Sequence, residues 1–253
     1  MKPRPGKSHV SLERALSKLG VASRAQARPI IEAGRVAVGG RITKNPLAWV
    51  DLARETLQLD GRPVAKAPRI YLAMNKPAGI VTTRSDERGR RTVYDLLPEG
   101  LPPVFPVGRL DRDTSGLLLF TNDTRWADSL TDPNTKIPKT YRARVDRPAT
   151  DADAAALARP IVLDDGTRLR AARVRRDPND STRLEITIEE GKNRQIRRAC
   201  ETVGLTVVEL ERISIGPLTL GHLVPGATCR LDATQVSSLR PRTPTIRKPT
   251  IHP

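Results

Sequence analysis

Apolar side chains recur along this chain at two periods, and the switches between them predict its elements. Leu12, Ala15, Leu16 and Leu19 stand at helical spacing, with Ser11 placed to cap that helix and Gly20 to close it. A second helix is predicted from its cap Ser23 through Ile30 and Ile31 to Gly34, with Pro29 expected to kink it or remove a hydrogen bond. Val36 and Val38 then alternate into Gly39, Gly40 and Ile42, a hairpin whose glycines are free to take positive φ. Residues 63–69 have the proline and charge of a linker, which divides the chain into a unit at 10–62 and a larger one at 70–239. In the larger unit Ile70, Leu72 and Met74 alternate as a half-buried strand, and Asn75-Lys76-Pro77 reads as a turn. A charged loop at 84–91 precedes a short helix ending near Leu97. Leu117 to Thr121 is a buried strand, and Trp126 and Leu130 mark a helix packed back onto it. Tyr141, Ala143 and Val145 share one face of a strand, as do Leu184, Ile186 and Ile188 of another. Between them lies an alanine-rich helix at 150–159. Ile196, Ala199, Cys200 and Val203 form the apolar stripe of a helix predicted over Lys192 to Val203, with Gly204 just past its end. Val207 to Ile215 and Cys229 to Leu231 read as closing strands, and Ala233 to Leu239 as a last short helix.

Charge changes this picture most. The chain of 253 residues carries 44 Lys plus Arg against 28 Asp plus Glu, a formal net charge of +16, which points to a polyanion and by default to nucleic acid. Residues 1–9 read as a flexible basic arm and 240–253, proline-rich and cationic, as a disordered tail. No apolar run is long enough to span a bilayer, and no signal peptide follows the basic N-terminus. Two cysteines and three scattered histidines give neither a disulfide framework nor a zinc site. A reduced cytoplasmic protein without metal is expected. Neither a dinucleotide nor a P-loop pattern occurs, so the chemistry is assigned to side chains with no cofactor.

Two stretches carry candidate chemistry. In GRLDRDTSGLLLFTND, residues 108–123, Asp111 lies between Arg109 and Arg112 in a positive field, the setting of many catalytic carboxylates. An arbitrary loop aspartate, by contrast, more often bonds its own backbone. In EGKNRQIRR, residues 190–198, Lys192, Arg194, Arg197 and Arg198 crowd the start of a predicted helix, where the dipole disfavours cations. An anion docked there, either a phosphate or Asp111, removes the conflict. The competing reading is an Arg197–Glu201 pair one turn along, worth only about 0.2 to 0.5 kcal/mol.

These two stretches, with MNKPAGIVTT at 74–83 and KTYRARV at 139–145, resemble the RsuA/RluB family of ribosomal RNA pseudouridine synthases. The N-terminal unit is similar to an S4 RNA-binding domain through Ser23, Arg24, Ala27, Ile31, Gly34, Arg35, Val36, Val38 and Gly40. The resemblance spans roughly residues 8–238. It implies an α/β (α+β) fold: a small S4 module, then a catalytic domain on a mixed, largely antiparallel sheet. It also implies isomerisation of one uridine in ribosomal RNA, in a single-stranded or loop setting or a pre-ribosomal particle, with the large subunit weakly favoured. In that reading Asp111 is the essential carboxylate, Tyr141 stacks on the base and can assist in removing the C5 proton, and Arg197 pairs with Asp111. Arg109, Lys76, Lys192, Arg194 and Gln195 are assigned to RNA near the cleft, and Arg14, Arg24 and Arg35 to RNA on the S4 module. A monomer is expected. The rivals are a non-catalytic S4-type ribosome-assembly factor and a DNA-binding regulator, the latter suggested by charge alone.

Overall fold

The computed structural model describes residues 9–239, so the basic arm up to residue 8 and the tail from 240 lie outside the described residues. Two units form. Among the described residues the first comprises 9–70 with 98–105 and 120–123; the second is built from the rest of them.

The first unit begins with β1 (His9–Ser11), α1 (Leu12–Lys18) and α2 (Arg24–Glu32). It continues through β2 (Val36–Val38), β3 (Arg41–Ile42), β4 (Trp49–Asp51), β5 (Leu57–Leu59) and β6 (Arg62–Pro63). The periodic positions of α1 and α2 close one core: Leu12, Ala15, Leu16, Ala27 and Ile31 are fully buried against Val36 and Val50. Ser23 caps α2 as predicted, its hydroxyl accepting from the Gln26 N–H while the Gln26 side chain accepts from the Ser23 N–H. Ser11 stands at the cap of α1 but makes no side-chain cap bond. Pro29 sits inside α2, which continues past it to Glu32. Gly39 and Gly40, at φ +55° and +79°, turn β2 into β3 with Val38 opposite Arg41. At the end of this run β6 retains Pro63 and the Val64 N–H bonds Leu57 O.

In the larger unit the chain runs through β7 (Tyr71–Lys76), β8 (Phe105–Val107), β9 (Thr114–Thr121), α3 (Thr124–Thr131), β10 (Lys139–Val145) and α4 (Asp151–Leu157). After these come β11 (Ile161–Val162), β12 (Arg168–Leu169), β13 (Arg173–Arg176), β14 (Arg183–Ile188) and α5 (Gln195–Thr202). The described residues end with β15 (Val207–Ile215), β16 (Leu218–Thr219), β17 (Thr228–Arg230) and α6 (Ala233–Ser238). One sheet runs β13-β14-β10-β15-β9-β7-β17, with β16 on β15 and β8 on β9. The pairings β13–β14, β14–β10, β10–β15, β15–β16 and β7–β17 are antiparallel and β15 on β9 is parallel, so the sheet is mixed and largely antiparallel.

Three sequence expectations need correction. β7 is buried on both faces and keeps Asn75 and Lys76 as strand residues, so neither a half-buried strand nor a turn at 75–77 describes it. It lies between β9 and β17 in the sheet, and residues 72–76, which point alternately to the two faces, are all buried. β9 starts at Thr114, three residues before the apolar run. Helix α5 begins at Gln195, because Arg194 takes the left-handed conformation at φ +46°; Lys192 therefore lies in the preceding loop.

Candidate active site

The 108–114 loop is held by the strand that precedes it. Lys76 is wholly buried, and its ammonium donates to Thr114 O at 2.7 Å, Pro77 O at 3.0 Å, Asp111 O at 3.1 Å and Arg112 O at 3.3 Å. Four carbonyl dipoles thus replace its hydration shell, three of them from the loop. Burial nevertheless lowers the Lys76 pKa to about 8, against the opposing pull of Asp113 and Asp111. Two further bonds fix the loop: Gly79 N–H to Arg112 O at 2.7 Å, and the Thr82 hydroxyl to Leu110 O at 2.7 Å. Lys76 was expected at the RNA; the structure makes it the clamp of the loop, out of reach of solvent.

This clamp presents Asp111 half-buried on the rim of a cleft of about 530 Å³, into which Tyr141, Arg212, Lys139 and Thr114 also face. Among the described residues the Asp111 carboxylate carries no hydrogen bond or ion pair. The expected Arg197–Asp111 pair does not form. Arg197, only 7 % exposed, bonds Asp113 instead: its guanidinium lies 3.3 Å from the carboxylate and donates to Asp113 O at 3.0 Å and to Val207 O at 2.6 Å. Arg194 reaches the same carboxylate at 3.2 Å. Burial raises the Asp113 pKa, but the adjoining Arg197 and Arg194 charges outweigh it and leave the carboxyl below its ordinary value. Only Arg112 separates the aspartates, so the turn alone decides which one meets α5. Asp113 ties the loop to the helix, and Asp111 is left facing the cleft.

Other assigned residues are spent differently. Gln195 is buried, its amide accepting from the Lys192 N–H and donating to Glu190 at 2.7 Å, so it shapes the loop rather than offering a free donor. Lys192 donates to Arg168 O. Arg109 is exposed at the cleft. In the first unit Arg14 and Arg24 are exposed, while Arg35 makes a two-pronged bond to Asp60. In the 84–91 loop, Arg90 is held by Asp86 at 2.6 Å and Arg84 lies 5.2 Å over the Tyr94 ring.

Tyr141, 8 % exposed on β10, lies opposite Arg212 of β15, whose guanidinium is 6.0 Å from the ring centroid. Arg212 and Lys139 were missed as site residues in the sequence. The signal was there in ELERISI: Arg212 is in phase with buried Leu210, while Glu209 and Glu211 alternate outward. A cation on the inner face of a strand needs a reason.

The arrangement combines an unengaged carboxylate, an aromatic ring, a buried arginine and a half-buried lysine in one cleft, without a cluster of His, Cys, Asp or Glu able to hold a metal among the described residues. No helix of the described residues is long and apolar enough to cross a membrane. Comparison with known proteins agrees with this geometry. Residues 70–202 match the family described as RNA pseudouridylate synthase, and residues 11–46 match the S4 domain. The chain is 36 % identical to an uncharacterized RNA pseudouridine synthase of Aquifex aeolicus, over 91 % of this chain and 93 % of that one. It is 34 % identical to ribosomal large subunit pseudouridine synthase B of Bacillus subtilis, over 90 % and 95 % of the two chains. A crystal structure of a pseudouridylate synthase superposes with a TM-score of 0.66 at 26 % identity, covering 91 % of this chain and 99 % of that one. With both segments matched and the relatives aligned along nearly their whole length, the chain belongs to the RNA pseudouridylate synthase family and carries an N-terminal S4 domain.

Proposed function

We propose that this enzyme isomerises a single uridine of ribosomal RNA to pseudouridine, with the large-subunit RNA as the favoured target and Asp111 as the essential carboxylate. The observation that carries the reading is the cleft itself, where Asp111, its carboxylate without a bond among the described residues, and the Tyr141 ring line one space of about 530 Å³. Isomerisation requires the N-glycosidic bond to break, the uracil to turn and C5 to join C1′ of the same ribose. No external atom enters, which suits a site with side chains alone. The nucleotide must leave its stack to reach such a cleft. Tyr141 then serves as the platform for the extruded base, an interaction of about 1 to 3 kcal/mol. Asp111 acts on C1′ or on C6 of the base. Arg197 is a positioning residue: through Asp113 it fixes the loop that aims Asp111. The large-subunit preference rests on relatives named for that activity in Bacillus subtilis and Vibrio cholerae. The S4 domain supplies RNA affinity through its exposed cations, Arg14 and Arg24 among them. We assign the enzyme to the cytoplasm, acting as a monomer on free or pre-ribosomal RNA.

The test is a pseudouridine map of both ribosomal RNAs, by carbodiimide-dependent reverse-transcription stops, in cells with and without the gene. One uridine in the large-subunit RNA loses its signal on deletion and regains it on complementation. A map unchanged by deletion rejects the isomerase reading and favours an assembly factor; a change confined to the small-subunit RNA rejects the target.

A further inference from the structure

We propose that Arg212, Lys139 and Thr114 together receive a carbonyl oxygen of the uracil and take up the negative charge that collects there as the base reacts. The proposal rests on the uridine-isomerase reading above.

The three residues come from three adjacent strands and share one face. Lys139 and Tyr141 are two apart on β10, Tyr141 is opposite Arg212 on β15, and Thr114 is opposite Leu210, two residues before Arg212, through β9. All line the same cleft as Asp111. Arg212 is 3 % exposed and anchored by its Nε, which donates to Leu117 O at 2.7 Å; its Nη2 is buried without a hydrogen-bond partner. Thr114 is 2 % exposed, and its hydroxyl is likewise without a partner. Lys139 donates to Ile137 O at 3.2 Å, and burial, assisted by the Arg212 charge, holds its pKa below the ordinary lysine range. Buried donors left open are costly, and two cations side by side add to the cost. An electron-rich partner removes both penalties.

RNA offers two such partners, a phosphate and a base carbonyl. Tyr141 pairs with Arg212 and lies two residues from Lys139 on its strand, so a base stacked on its ring brings its own edge, not its phosphodiester, to Arg212 and Lys139. The chemistry makes the same choice. If Asp111 attacks C1′, the C1′–O bond forms, the C1′–N1 bond breaks, and the departing electron pair spreads over N1, O2 and O4 of the ring. If Asp111 attacks C6, the C6–O bond forms and the C5–C6 π pair moves onto O4. Both routes end with C5 joined to C1′, Asp111 released, one proton lost from C5 and one gained at N1. Both also load O4 with charge on the way. Donors fixed where charge develops lower the barrier without reorganisation, and loss of one costs about 10²-fold in rate.

Lys139→Gln is the decisive variant, because the lysine's amine bonds a single carbonyl, whereas Arg212 also anchors Leu117. The substrate is ribosomal RNA from cells lacking the gene, tritiated at uridine C5, with single-turnover tritium release and filter-binding affinity measured in parallel. The expected result is a rate about 10²-fold below wild type with RNA affinity within twofold, and at least tenfold recovery in Lys139→Arg. Arg212→Lys, which keeps the charge, is expected to exceed Arg212→Gln in the same assay. An unchanged rate in Lys139→Gln overturns the proposal. So does a loss of affinity with the saturated rate intact, which would place a phosphate on these cations. Wild-type enzyme that releases no tritium from any ribosomal RNA overturns the isomerase reading itself, an outcome distinct from an active wild type with indifferent variants.

Discussion

Replacing Lys76 by Met separates two opposing effects at the root of the 108–114 loop. The ammonium is fully buried, and three of its bonds to carbonyls are 3.1 Å or shorter. Bonds of this kind to a charged group contribute about 2 kcal/mol each. Against them stands the burial that lowers the Lys76 pKa from 10.5 to about 8, a cost to the charged form of about 3 kcal/mol. The balance leaves Lys76→Met about 3 kcal/mol less stable than wild type at pH 7, a fall of about 1 M in urea midpoint. Trp126, buried on α3 of the same unit, reports this unfolding by fluorescence, whereas Trp49 is already 62 % exposed. The sign of the pH dependence is also determined. Between pH 8 and 10.5 the unfolded lysine holds its proton while the folded one gives it up, so unfolding takes up protons and stability rises with pH. The penalty is present in full below pH 8 and relieved above it, and the Met variant lacks it. The wild-type advantage therefore widens from pH 8 to 10.5 by up to about 3 kcal/mol. A gap that narrows over this window refutes the reasoning, since the carbonyl cage would then outweigh desolvation.

The remaining predictions concern the supports of the same loop and the RNA surface. Gly116 has φ +99°, and a Cβ there would sit 2.3 Å from Arg212 O on the paired strand; Gly116→Ala is expected to cost about 3 to 5 kcal/mol in denaturant unfolding, and a loss under 1 kcal/mol would contradict the tight β9–β15 approach. Arg197→Met removes a buried partner of Asp113 and is expected to cost about 3 to 5 kcal/mol, whereas Arg194→Met, 43 % exposed, should cost under about 1 kcal/mol. Equal losses in the two would show that burial does not set the hierarchy. Arg14→Ala with Arg24→Ala should shallow the dependence of RNA affinity on salt by about one to two units of log–log slope while leaving saturated turnover intact. An unaltered slope removes these two from the RNA surface.

Much of this architecture was legible before the fold. The alternation in KTYRARV and RLEITI gave two adjacent strands of the sheet, and Ser23 announced the start of α2. Asp111 was legible as a candidate from its flanking arginines and motif. The partners were not. Lys76 looked like a turn cation because nothing local shows that carbonyls from residues 111 to 114 converge on it. The choice of Asp113 over Asp111 by Arg197 is fixed by a turn two residues long and by where α5 begins, and α5 begins late because Arg194 adopts positive φ. Arg212 meets Tyr141 across 71 positions of chain, a pairing that only the strand register creates.

The central claim is that Asp111 acts on the nucleotide and holds nothing else in place. Wild type and Asp111→Asn are compared in single-turnover tritium release from C5-labelled ribosomal RNA, with thermal unfolding and RNA retention measured on the same preparations. Because the carboxylate carries no bond among the described residues, the account predicts an unchanged unfolding temperature, RNA affinity within twofold, and a rate lowered by about 10³-fold or more. A variant that still releases tritium at near the wild-type rate contradicts it.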